Sequence, residues 1–212
     1  MAATPAPNDY ETELIALGYR LIAGVDEAGR GALAGPVVAA AVIFPVARAL
    51  PCVADSKTLA PAQREALEAE IRGCAVAWAV GVVSVEEIEA INILRATHVA
   101  MREALRGLSP AAEFVLVDGL PVPDLPAPAR NIIEGDKHCC SIAAASILAK
   151  VHRDRLMCEL DVLHPGYGFA AHKGYGTTQH QEALERLGAC SAHRMTFGPV
   201  RALGQGRLGL QG

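Results

Sequence analysis

Three times in this chain a short apolar run ends on an acid with glycine close by. The segments are Gly24-Val25-Asp26-Glu27-Ala28-Gly29, Val115-Leu116-Val117-Asp118-Gly119 and Ile132-Ile133-Glu134-Gly135-Asp136. Short apolar runs bounded by glycine read as buried strands. A carboxylate directly after such a strand is expensive unless it is solvated, paired or bound to a cation. In α/β sheets the crevice beyond the strand ends is also where ligands bind. Singly, each acid is explained as a turn or cap residue. Three such motifs in one chain point instead to a layered sheet that gathers Asp26, Glu27, Asp118 and Asp136 at one crevice.

Four carboxylates brought close together repel, which raises their pKa values until a divalent cation neutralises them. Ligation by oxygen alone favours Mg²⁺ or Mn²⁺ over Zn²⁺. Two such cations suit phosphoryl transfer, one activating a water and the other stabilising the leaving oxygen. Neighbouring residues of a regular strand point to opposite faces. Asp26 and Glu27 are therefore expected to share a site only if the first strand ends or distorts there.

The rest of the chain fits an α/β layered domain. Strands are expected at Leu21–Asp26, Val37–Phe44, Ala75–Val83, Phe114–Val117 and Asn131–Ile133. Helices are expected from Ser56 or Thr58 to about Arg72, from Ser84 to about Leu108, from Ser141 to about Leu163 and from Thr177 to Leu187. Ser84 with Glu87 three residues later is a capping box. The expected layout has a frayed or disordered N-terminus over 1–18 and a catalytic domain over 19–203. That domain includes a C-terminal helical region from about residue 163, and a flexible tail follows over 204–212.

Composition excludes several classes. The longest apolar run, Val37 to Phe44, is too short to span a bilayer. Met1 to Leu14 carries Asp9, Glu11 and Glu13 and reads as neither a signal peptide nor a transit sequence. The six cysteines contain no C-x-x-C pair, so a reduced, cytoplasmic protein is expected rather than a disulfide scaffold. A net charge of −4 argues against a coat-like nucleic-acid binder. The charge is uneven, however. Residues 1–129 hold nine lysines and arginines against sixteen acids, whereas residues 130–212 hold ten against seven. An acidic body with a basic end suits a polyanionic partner at that end.

Beyond these readings, a series of motifs resembles bacterial ribonuclease HII. Gly24-Val-Asp-Glu-Ala-Gly-Arg-Gly31 is followed by Leu33-Ala-Gly-Pro-Val37, Asp55-Ser-Lys-Thr-Leu59, Val117-Asp-Gly119 and Gly135-Asp136. Ser141 to Val151, Tyr167-Gly-Phe169, His172-Lys-Gly-Tyr-Gly-Thr177 and His193-Arg194…Phe197-Gly-Pro199 complete it, in family order across nearly the whole chain. The resemblance implies a ribonuclease H-like fold, a mixed five-stranded sheet flanked by helices with a C-terminal helical extension. It implies a metal-dependent endonuclease that cuts the RNA strand of RNA–DNA hybrids and single ribonucleotides embedded in duplex DNA. The products would carry a 5′-phosphate and a 3′-hydroxyl.

Carried over by motif, the catalytic and metal-binding acids would be Asp26, Glu27, Asp118 and Asp136, with Mg²⁺ or Mn²⁺ in a two-metal mechanism. Gly29, Arg30 and Gly31 would read the ribose beside the scissile phosphate. Tyr175 would pack on the deoxyribose that follows, and Lys57 would contact backbone phosphate. Lys150, His172, Lys173 and Arg194 are weaker phosphate candidates. The family commonly has lysine where this chain has Glu134. His138-Cys139-Cys140 reads as buried or half-buried thiols rather than a zinc patch. The alternative is a non-catalytic RNA–DNA hybrid-binding protein of the same fold. A monomer is expected, without a membrane partner. The sequence contains no sliding-clamp-binding box in Arg201 to Gly212.

Overall fold

A computed structural model describes residues 8–46 and 60–202. In chain order the elements are α1 (Asp9–Ala16), β1 (Ile22–Ala28), β2 (Val37–Ile43), α2 (Pro61–Cys74), β3 (Ala77–Val83), α3 (Val85–Ile91) and α4 (Ile93–Arg106). They continue with β4 (Phe114–Asp118), β5 (Ala129–Ile132), α5 (Gly135–His138), α6 (Cys140–Leu163), α7 (Phe169–His172) and α8 (Thr178–Leu187). The strands form one mixed five-stranded sheet, as expected, in the order β3-β2-β1-β4-β5. β1, β2 and β3 pair antiparallel, while β4 and β5 lie parallel on the other side of β1. Among the described residues no helix is long and apolar enough to cross a membrane.

Alternation along β1 and β2 divides the core between two faces. Ala23, Val25, Ala39 and Ala41 meet α4 through Ala96, Ala100 and Ala104. Ala28, Val38, Ala40 and Val42 meet α6 through Ala143, Ala144, Ile147 and Leu148, with Ile71 of α2 beside them. The first ten residues of α6 are all buried, and their alanines let the helix lie close on the sheet. A Cβ at Gly24 would stand 2.2 Å from the Ser141 carbonyl carbon, so only glycine admits this approach.

Several expected boundaries change. The N-terminal stretch expected to fray instead forms α1 over residues 9–16. Leu14 is buried with Ile22, Leu116 and Ile132. Glu11 Oε1 accepts hydrogen bonds from the Ser141 N–H at 2.9 Å and the Ser141 hydroxyl at 2.6 Å, at the start of α6. A carboxylate at a helix N-terminus satisfies amides that the helix leaves open.

The helix expected from Ser84 to about Leu108 is two helices, because Asn92 adopts φ 69° and caps α4 by accepting the Arg95 N–H at 3.1 Å. The Ser84–Glu87 capping box forms as read. Strand β5 begins two residues before its expected start, and α6 one residue before.

Candidate functional site

The acids are set by the ends of β1 and β4. Parallel pairing between these strands stops at Val25↔Val117, whereas β1 stays paired with β2 through Ala28↔Val38. The strand therefore neither ends nor distorts at Asp26, contrary to the sequence expectation. What ends is the neighbour: β4 stops at Asp118 and leaves the last residues of β1 beside an open crevice. Alternation places Asp26 on the α6 face of the sheet and Glu27 on the α4 face. Both still line one cavity of about 380 Å³, together with Asp118, Gly29, Arg30, Gly31, Arg64, Ser146, Lys150 and Tyr175.

Burial, then the charges of Asp118 and Glu27, hold the Asp26 carboxyl well above the ordinary carboxylate range, against a hydrogen bond from Ser146. Burial also raises Glu27, opposed first by the Arg30 guanidinium, whose Nη1 lies 3.7 Å from Glu27 Oε1. Asp26 Oδ1 accepts the Glu27 N–H at 2.7 Å, and Asp118 Oδ1 accepts the Gly135 N–H at 2.6 Å. Asp136 follows Gly135 in the first turn of α5 and is buried, but it lies outside the lining of this cavity. The structure thus brings Asp26, Glu27 and Asp118 together and places Asp136 next to the residue that holds Asp118.

All the acids of this set offer hard oxygen donors, and their mutual repulsion is what a divalent cation relieves, so the donor chemistry fits such an ion. Asp26, Glu27 and Asp118 line the cavity rather than converge on a point. Among the described residues no group of three or more His, Cys, Asp or Glu side chains is arranged to hold an ion as it stands. Cys139 and Cys140 are buried, and burial pushes the Cys139 thiol up, consistent with inert thiols.

The loop after β1 divides its two glycines between different tasks. Gly29 has φ +90°, and a Cβ there would stand 1.8 Å from Arg153 Nε. A Cβ on Gly31 would meet nothing within 4 Å. Gly31 is the open position, while Gly29 is glycine because an arginine lies against it. Arg30 is exposed at the rim, and its carbonyl accepts Arg194 Nη1 at 3.0 Å.

Tyr175 also lines this cavity and is 37% exposed. Lys150 Nζ and Arg153 Cζ stand 5.9 and 5.4 Å from its ring centroid. Lys150 bonds Asp154 at 2.6 Å, and burial lowers its pKa. A second cavity, of about 730 Å³, shares Arg64, Lys150 and Tyr175 with the first and adds Lys173 and Arg155.

Two phosphate candidates have their polar atoms committed to the main chain. Arg194 is fully buried and donates to the carbonyls of Arg30, Gly35 and Pro36. His172 is buried, with Nε2 on the Tyr167 carbonyl and Nδ1 accepting the Gly174 N–H. Arg194 lines neither cavity, whereas His172 lines the second. Lys57 and the Asp55–Leu59 motif lie outside the described residues.

Sequence reading missed Ser146, Arg153 and Arg64. The first two carried a signal. With Lys150 they recur at four- and three-residue steps along α6, a polar stripe that starts within the helix's apolar first half. Arg64 carried none, being one of several charges on an amphipathic helix.

Comparison with known proteins is consistent along the whole chain. The family model described as Ribonuclease HII matches residues 23–200. Ribonuclease HII of Geobacillus kaustophilus is 56% identical over 192 residues, covering 91% of this chain and 74% of that protein. Ribonuclease HII of Geobacter sulfurreducens is 55% identical over 205 residues, covering 96% and 94%. Among solved structures, ribonuclease H2 from Pyrococcus horikoshii superposes with a TM-score of 0.72 at 26% identity, covering 87% of this chain and 97% of that one.

Proposed function

Because the chain belongs to the ribonuclease HII family and is a ribonuclease H acting on RNA in RNA–DNA hybrids, we propose that it also cuts at single ribonucleotides within duplex DNA. The observation that carries this reading is one cavity lined by three acids together with Gly31 and Tyr175. In this reading Asp26, Glu27 and Asp118 hold divalent cations, Mg²⁺ or Mn²⁺, with Asp136 completing the set. Cations bound there would supply Lewis-acid polarisation of the scissile phosphate and of the attacking water.

The chain's own residues do the rest. Gly31, with open space where a side chain would stand, lets the main chain approach a ribose 2′-hydroxyl, a group that DNA lacks. Arg30 stays at the rim, where its pairing with Glu27 keeps a cation beside the acids. Tyr175 presents a ring to the next sugar and disfavours a hydroxyl there, which selects an RNA-to-DNA junction. Lys150, Lys173 and Arg64 line the two connected cavities as candidates to take backbone phosphates. Such contacts set register without reading sequence. Water then attacks the phosphorus on the 5′ side of the ribonucleotide, in line with the departing 3′-oxygen of the preceding nucleotide, leaving a 5′-phosphate and a 3′-hydroxyl. No side chain acts as nucleophile.

The test is cleavage of a duplex with one ribonucleotide, in Mg²⁺, in Mn²⁺ and in chelator, with both product ends mapped. Cutting on the 5′ side of the ribonucleotide, only with metal, is expected. No cutting of this duplex, or equal cutting in chelator, overturns the proposal.

A further inference from the structure

We propose that Arg153 is a positioning residue for junction selection, fixing the distance between the Gly29–Gly31 loop and Tyr175. The inference rests on the proposed reading of that cavity and names what sets its selectivity.

The two walls of the cavity come from segments far apart in sequence. The loop over 29–36 follows β1, whereas Tyr175 follows α7. Arg153, on α6, lies between them and is fully buried. Its Nε donates to the Pro36 carbonyl at 3.0 Å, its Nη2 to the Ala34 carbonyl at 3.0 Å and its Nη1 to the Lys173 carbonyl at 2.9 Å. One planar guanidinium thus spans both segments. Its Nε also lies where a Gly29 side chain would stand, and its Cζ is 5.4 Å from the Tyr175 ring centroid.

A guanidinium is a costly choice for this place. Burying a charge is unfavourable, and a well-packed apolar side chain often stabilises at least as well. What an apolar residue cannot do is bond three carbonyls in a fixed fork. The neighbouring contacts need no arginine: the Leu33 N–H donates to the Gly174 carbonyl at 2.8 Å, and the Arg194 N–H to the Leu33 carbonyl at 2.9 Å. These join the segments at Leu33 and Gly174. Arg153 adds direct bonds beside that join, next to Gly29 and beneath Tyr175. Its position therefore bears on which sugars fit between the walls more than on whether phosphodiester cleavage occurs.

The experiment compares the full chain with Arg153→Lys and Arg153→Met. Initial rates are measured for each preparation on a duplex with one ribonucleotide and on a uniform RNA–DNA hybrid. The quantity read is the ratio of the two rates. Misfolded protein lowers both rates alike and leaves the ratio unchanged. Misplacing one wall by about 1 Å is expected to lower the ratio by about tenfold or more in Arg153→Met. A smaller drop is expected in Arg153→Lys, which keeps a cation and one donor point and so keeps the fold. A ratio within about twofold of the parent in both variants, whatever the absolute rates, overturns the inference. Failure of the parent chain to cut the single-ribonucleotide duplex would instead remove the reading on which it rests.

Discussion

His193 Nε2 and His180 Nε2 are hydrogen-bonded at 3.1 Å in the C-terminal helical region, with His193 1% exposed and His180 fully buried. The nearer main-chain contact of His193 Nδ1 is the Cys190 N–H at 3.0 Å, a donor, so the ring proton sits on Nε2 and points to His180. His180 then accepts on Nε2 and donates from Nδ1 to the Tyr175 carbonyl at 3.0 Å. Two neutral imidazoles of fixed tautomer thereby tie Cys190 to the chain at Tyr175.

Such a relay fails when protonated. Burial, then the charge of His180, pushes His193 down to about 4, from 6.5. Below pH 6.5 the unfolded chain binds a proton that the folded chain refuses, so stability falls with pH at up to roughly 1.4 kcal/mol per unit and levels off near pH 4. Burial lowers His180 as well, in the same direction. Denaturant unfolding between pH 7.5 and 4.5 checks this, with His193→Gln expected to flatten the slope.

Asp118→Asn separates repulsion from chemistry. Asn keeps an oxygen for the Gly135 N–H, but removes a charge that raises Asp26 and Glu27. The melting temperature in chelator is expected to hold or rise. Cleavage in Mg²⁺ is expected to fall by at least about 100-fold, since several kcal/mol of transition-state stabilisation are lost. Near-normal cutting would remove Asp118 from the metal set.

The two loop glycines should respond oppositely to a methyl group. Gly29→Ala forces a side chain into Arg153 at φ +90°, with an expected cost of roughly 3 kcal/mol. Gly31→Ala meets open space, so its stability should stay within about 0.5 kcal/mol of the parent. Its cleavage of a single ribonucleotide should still fall by about tenfold or more if Gly31 is where the ribose approaches, as proposed. Melting curves and rates on both variants check the contrast.

Removing the α1 anchor should affect stability alone. Glu11→Ala takes two hydrogen bonds from Ser141 but also removes a buried Oε2 that has no partner. A net loss of roughly 1–2 kcal/mol is expected from thermal unfolding. The cleavage rate of folded protein should be unchanged.

The sheet was legible because its strands are apolar runs bounded by glycine and acid, and Ser84 with Glu87 marked its helix start through chemistry local to four residues. Asp26, Glu27 and Asp118 were legible because a carboxylate set against an apolar strand and a glycine stands out in sequence. Their sharing of a cavity was expected from a distorted β1, yet it comes from the earlier end of β4, which only strand register reveals. Asn92 went unread because the break it makes lies between two runs of helical spacing. Glu11 and Arg153 went unread, and Arg194 was expected at phosphate, for a single reason. Each satisfies main-chain groups roughly 120–160 residues away, and an arginine bonded to carbonyls looks in sequence like one facing water.

Those carbonyls have a bearing on ionic strength. An ion pair weakens when salt screens it or acid protonates its carboxylate, but a carbonyl neither titrates nor gathers counterions. Affinity for a polyanionic duplex falls steeply as salt rises, because cation–phosphate contacts are released. Arg153 and Arg194 keep their grip on residues 30–36 and 173 through the same change. Salt should therefore set how much nucleic acid the protein holds and leave untouched which sugar it chooses.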